Sequence, residues 1–351
     1  MKNSRLILCL FFLIWGCDHP VSHGFRFEEE KELKGVPFTA VSSDSVSLRF
    51  PFRVRRQDSL LYVLDLHGRD DYCARFSFPD IELQKAFAPR GDGPEEYASI
   101  ENIRICLSGK VFLLDANKKT ISIYDPEEER VCNRIKLPKE LIRTLDFAPI
   151  NDSLFILTDY TGKCRVHIMD DNGKIRKQLF HIPTKKKKDH TVSDIVMAQA
   201  WRSFIDYNPR NGILAMATQL GQVIEIYDLK TQETVNIVYG DFDEPQFACR
   251  DSYAIPDGIM GYGDIHVGDN AIYTLFWGNS FKEIQKDPFN TPQGGNIIQV
   301  FSLDGKPIKQ YVLDRHITGF SFDEKNGKMI ALDVNSDHQI IEYQLSSNST
   351  K

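Results

Sequence analysis

The chain has no disulfide framework to read. It carries seven cysteines in 351 residues; past Cys17 they are Cys73, Cys106, Cys132, Cys164 and Cys249, an odd number. None forms a CxxC pair, and none is spaced from histidine in a way that suggests zinc, so no metal ligands are expected. Cys73, Cys106 and Cys132 fall in apolar strand-like runs and read as small hydrophobes. Positive charge is also in short supply. Lys and Arg number 43 against 49 Asp and Glu, a net −6 that argues against nucleic acid, which wants a basic face. The one concentrated basic run, Lys185–Lys188, lies between Pro183 and Asp189 and reads as a solvated turn. Long apolar runs are missing too: Leu6–Trp15 holds ten residues, too few to span a bilayer but the right length for the core of a signal peptide.

Lys2 and Arg5 precede that run, and it ends in "LIWGC". Small Gly16 directly before Cys17 resembles a bacterial lipobox, which implies a leader over 1–16, lipidation of Cys17 and a tether over 17–30. Several acyl chains on one residue anchor stably where one would be marginal. The expected address is the outer membrane, lipid-anchored and facing the periplasm or the cell surface. Loss of Lys2 and Arg5 takes the formal charge from −6 to −8.

What the chain has in abundance is repetition. A short apolar strand recurs six times: "LLYVLD", "VFLLD", "LFILT", "ILAMA", "IYTLF" and "MIALD", at a spacing of about 54 residues. Each is preceded by one strand-like run and followed by one or two more, with "DDNG", "LDG" and "KNG" turns between. Four short strands per unit describe a propeller blade. The expectation is an all-β fold: one six-bladed propeller over 31–346, with a tail at 347–351. The last unit lacks its outermost strand, and "GVPFTAV" (35–41) is left over to supply it, closing the ring and removing its open edges.

With Gly91, Gly93, Pro94, Glu96 and Tyr97 forming a G-x-G-P-x-E-[FY] signature between the first two units, the chain resembles the TolB-like six-bladed propeller lipoproteins of Bacteroidetes-type bacteria. The resemblance implies fold and address, not a reaction. Within the signature, Pro94 followed by Glu95 and Glu96 reads as a helix start. No Gly-Lys-Ser/Thr follows, so it is not a phosphate loop. Arg90-Gly-Asp92 is short enough to arise by chance.

Loops on a rigid scaffold carry binding. Those expected on the face where the inner strands begin supply the candidate ligand-binding residues: Arg90, Asp92, Glu96, Trp201, Arg202, Tyr262, Asp264, His266, Trp277 and His316. The long stretch 278–296 belongs to the same face. No catalytic triad is readable, and no cofactor is expected. The reading is an envelope lipoprotein that binds or scaffolds a protein, peptide or glycan partner through its loop-rich face. The alternative is a metal-dependent hydrolase, lactonase or esterase-like, holding a divalent cation at the channel mouth through groups such as Glu101, Asn102 and Asp264. Asp-Ser-apolar triplets at 44, 58 and 152 are similar to O-glycosylation sites of exported proteins in such bacteria.

Overall fold

In a computed structural model, residues 24–38, 48–185 and 192–345 are described. Cys17, the triplet at 44 and Lys186–Lys188 lie outside them. Six four-stranded antiparallel units follow one another along the chain. Their inner strands are Pro51–Gln57, Ile100–Ile105, Phe147–Asn151, Ser203–Asn208, Tyr262–Val267 and Gly319–Asp323, which number the blades 1 to 6.

The recurring apolar strand is the second of each blade. It is apolar on both faces because a blade has a neighbour on each side. In blade 2, Phe112 and Leu114 pack toward blade 3, whereas Val111 and Leu113 pack toward blade 1. Period-two alternation therefore feeds two seams at once. The same division gives six apolar seams, including one that joins Ile330 and Leu332 of blade 6 to Leu61 and Val63 of blade 1. Outer strands face solvent and turn polar, as in Glu233–Tyr239, where the first four residues are exposed.

Ring closure takes the expected form. Val36 and Pro37 pair antiparallel with Glu342 and Ile341, giving blade 6 its fourth strand. The ordered body also begins before the expected end of the tether. Glu29–Leu33 adds a parallel fifth strand to blade 5, and Phe25 and Phe27 set their ring edges against Phe301. These aromatic and strand contacts account for the earlier boundary.

One predicted helix is absent. Residues 91–99 form a single turn, because Glu96 accepts the Gly93 N–H (2.8 Å) while Lys118 donates to the Gly93 and Glu96 carbonyls (2.6 and 2.7 Å). A continuing helix would need those carbonyls for its own ladder. Gly91 has φ +150°, and a Cβ there would lie 2.0 Å from Glu96 Oε2. Tyr97, 1% exposed, packs the turn onto the blade seam as expected. The segment before blade 4 contains the helix Asp194–Ala200, capped by Ser193 Oγ on the Val196 N–H. All five described cysteines are free, but Cys106 is half-buried and Cys132 is exposed at a bulge, so only Cys73 and Cys164 behave as core groups.

Candidate functional site

Inner strands of a propeller point alternate side chains into the central channel, and in blades 1, 2, 4 and 5 those side chains include charged groups. Arg53 and Arg55 come from blade 1, Asn102 and Arg104 from blade 2. Asp146 precedes the inner strand of blade 3, Asp206 lies in blade 4, and Asp264 and His266 lie in blade 5. Arg53 is fully buried, with its Nε 3.5 Å from Asp264 and its Nη atoms donating to the carbonyls of Phe52, Thr318 and Gly263. Its guanidinium stacks over Phe52 at 3.7 Å and Phe204 at 4.5 Å. Arg55 reaches the other side of Asp264 at 3.4 Å. Arg104 joins Asp146 at 3.1 Å to Asp206 at 3.3 Å and donates to the Phe147 and Ile205 carbonyls.

The carboxylates are equally well used. Asp264 also accepts the N–H groups of Phe320 and Ile265, and Asp146 accepts the Ile205 N–H and the Asn102 amide. Burial would raise the Asp264 carboxyl, but the guanidiniums of Arg53, Arg55 and Arg104 outweigh it and hold it below its ordinary value. Burial pulls Arg53 down to about 10, against the attraction of Asp264. All six blades are therefore tied across the channel by ion pairs and carbonyl contacts. A cation in the channel would have to displace guanidiniums. The oxygen set named for a divalent ion does not converge either, since Glu101 accepts from Ser99, Asn102 donates to Asp146 and Asp264 is held by arginines.

Above this plug, at the face where the inner strands end, a cleft of about 290 Å³ opens. Its wall includes Arg55, Arg104, His266, Asp206, Tyr207, Asn208 and Phe322, with Leu107 on the rim, 76% exposed. A wider groove of about 740 Å³ continues from it and shares Arg56, Arg210, His266, Ser321 and Phe322. Four guanidiniums and two carboxylates line the inner cleft. His266, with its side chain about a third exposed, sits with Nδ1 3.5 Å from Asp206. Burial lowers its pKa, helped by Arg55 and opposed by Asp206. Asp269 holds the rim by accepting from Asn208 (2.9 Å) and Arg210 (2.6 Å), linking blades 4 and 5.

The sequence matches the family described as TolB-like 6-blade propeller-like over residues 27–325. The chain belongs to that family. A Bacteroides vulgatus member of the DUF4221 family is similar in structure, with a TM-score of 0.60 at 13% identity, covering 90% of this chain and 98% of its own. A Bacteroides fragilis protein named as exported has a TM-score of 0.55 at 10% identity, covering 90% and 97%. No curated protein matches in sequence.

Against this TolB-like frame, the candidate residues scatter. Arg90 stacks on Tyr72 at 3.9 Å and donates to the Leu66 carbonyl, so it braces the signature turn. Asp92 is exposed, and Glu96 caps the turn. Trp201, 1% exposed, ends the helix Asp194–Ala200 and packs on Val223. Arg202 is half-buried at the same blade junction. Tyr262 is buried and donates to Gln299. Trp277 lies against Gly263 and Gly295, and the His316 carbonyl accepts from Asn335. Only His266 reaches the cleft, with Asp264 beneath it holding Arg55. The face with the longer loops, including 278–296 with its helix Phe281–Lys286, is the opposite one. Arg55, Arg104, Asp206, Tyr207, Asn208 and Phe322 escaped the sequence reading. Their signal was there: a charged residue recurs in otherwise apolar inner strands, as in "FRVRR", "IRI", "FIDYN" and "GDIHV".

Proposed function

We propose that this TolB-like propeller is a cell-envelope binding module, lipid-anchored through Cys17 and facing the periplasm or the cell surface. Its ligand is the acidic end or edge of a peptide or glycan, seated in the cleft where the inner strands end. The observation that carries the reading is the sign of the cleft. Four guanidiniums and two carboxylates line it in a chain whose net charge is −6. Each guanidinium is held in place by a carboxylate of the ring or rim: Arg55 by Asp264, Arg56 by Asp323, Arg104 by Asp146 and Arg210 by Asp269. Aromatic Tyr207 and Phe322 supply the apolar surface against which a sugar or side chain packs. Ion pairs spanning six blades preorganise the floor, so little ordering is required on binding. The exported relative is in keeping with an envelope address.

Thermal melts with uronate-containing oligosaccharides, neutral oligosaccharides and acidic peptides test it. A ligand held at a hundred times its Kd stabilises by about 2.7 kcal/mol, several degrees in midpoint. Acidic probes are expected to raise the midpoint and neutral ones not. Tyr207→Ala and Arg210→Ala should abolish the shift while Asp92→Ala, on the far face, keeps it. Equal shifts from neutral probes, or a shift lost in Asp92→Ala and kept in the cleft variants, would contradict the reading.

A further inference from the structure

Blade 3 holds a second constellation, remote in kind from the cleft and independent of any function assigned to it. Asp159 follows the strand Leu154–Thr158, His167 lies in the strand Val166–Asp170, and Cys164 closes the turn between them. The three are 2%, 3% and 3% exposed. His167 Nε2 is 3.0 Å from Asp159 Oδ1 and 3.5 Å from Cys164 Sγ, and all three ligand atoms lie within 4.8 Å of one another.

Hydrogen bonding accounts for only part of this. One imidazole nitrogen offers a single proton or a single lone pair in the ring plane, yet the carboxylate and the thiol both converge on Nε2. A nucleophilic triad would place thiol and carboxylate on different ring nitrogens, and burial removes the substrate. A metal ion placed among the three atoms satisfies all of them. For tetrahedral zinc, bond lengths of roughly 2.3 Å to sulfur and 2.0–2.1 Å to nitrogen and oxygen give ligand–ligand edges of about 3.5 and 3.3 Å. The observed 3.5 Å matches the sulfur–nitrogen edge, the observed 3.0 Å is shorter than the nitrogen–oxygen edge, and the sulfur–oxygen edge lies within 4.8 Å.

The surroundings orient the ligands. Asp159 Oδ2 accepts from the Lys163 and Cys164 N–H groups, and the Thr161 hydroxyl lies 2.9 Å from both carboxylate oxygens. Oδ1 is thereby turned toward His167, as the carboxylate of a metal site is held by its neighbours. Thr161 Oγ1 or a water would complete the tetrahedron. Nδ1 of His167 would carry the ring proton; it has no acceptor among the described residues and would take a water.

We infer that Asp159, Cys164 and His167 form a structural site for a zinc-like divalent ion. Thiolate, imidazole and carboxylate together suit a borderline-soft ion rather than calcium or magnesium. The sequence signal is Cys164-x2-His167, five residues beyond Asp159, a cysteine–histidine spacing that the sequence reading set aside. The ion would staple a turn that carries Arg165 across to blade 4, where it meets Glu225 at 2.6 Å.

The test is metal analysis of the full chain purified with zinc present, followed by cobalt(II) substitution. One zinc per chain is expected to survive dialysis. Cobalt should give a thiolate-to-metal charge-transfer band, and a strong chelator should lower the melting midpoint by several degrees, reversed by zinc. Cys164→Ser should lose the band and His167→Gln the stoichiometry. Should either variant fail to fold, the cobalt spectrum of the unaltered chain decides. Absence of the band, or zinc retained equally by the folded variants, overturns the assignment.

Discussion

Replacing Asp264 by alanine is expected to destabilise the propeller by about 3–5 kcal/mol at neutral pH, the range for breaking a buried pair by removing one partner. Asp264 is 1% exposed and answers two guanidiniums, one of them on the fully buried Arg53. Its loss strands both cations and leaves the Phe320 and Ile265 N–H groups without an acceptor. Urea unfolding measures the effect. The pH dependence has a definite sign. The folded carboxyl sits below its ordinary value, so its contribution is complete above the unfolded pKa of about 3.9 and drains away as pH falls through the folded one. The gap between parent and variant should therefore narrow on acidification. A gap that widens toward acid, or stays within about 0.5 kcal/mol, the range of ordinary surface substitutions, would mean that the channel network is not a main tie between blades.

The second large effect is at the seam of blades 3 and 4. Glu225 accepts from Arg165 at 2.6 and 2.9 Å and from Tyr227 at 2.7 Å, and Arg165 also donates to Ser203. Both side chains of the ion pair are essentially unexposed. Glu225→Ala is expected to cost about 3–5 kcal/mol, because Arg165 is left as an unpaired buried charge. The double change Arg165→Met with Glu225→Met should recover most of that loss, since well-packed apolar groups replace a buried pair at little penalty. A double-mutant cycle by urea unfolding separates the terms. If Glu225→Ala alone is neutral, or the double change is as damaging as the sum of its parts, the pair is not the seam's electrostatic tie.

The fold was readable because its units repeat one physical demand. A second strand buried on both faces must be apolar throughout, and six such runs at even spacing leave little choice of architecture. The unpaired "GVP" segment then had one place to go, and Val36 and Pro37 occupy it. The site was harder to read. Candidates were chosen from long loops, yet the cleft is built from the ends of inner strands joined by short hairpin turns. Arg104 and Asp206 are far apart in sequence and meet only because the ring closes. The helix expected at Pro94 failed because Lys118, in a neighbouring hairpin, takes the carbonyls it needed. Asp-Ser triplets at 58 and 152 both fall in inner hairpin turns on the cleft face, where Asp58 has φ 51°.

The most direct test of the binding account places a photo-crosslinking residue at either of two positions in living cells. Leu107 sits exposed on the cleft rim, and Asp92 is exposed on the opposite face. The account predicts a discrete adduct, to glycan or polypeptide, from position 107, lost when Tyr207→Ala is added, and none from position 92. An adduct from position 92 alone would contradict it and return the binding surface to the loop-rich face.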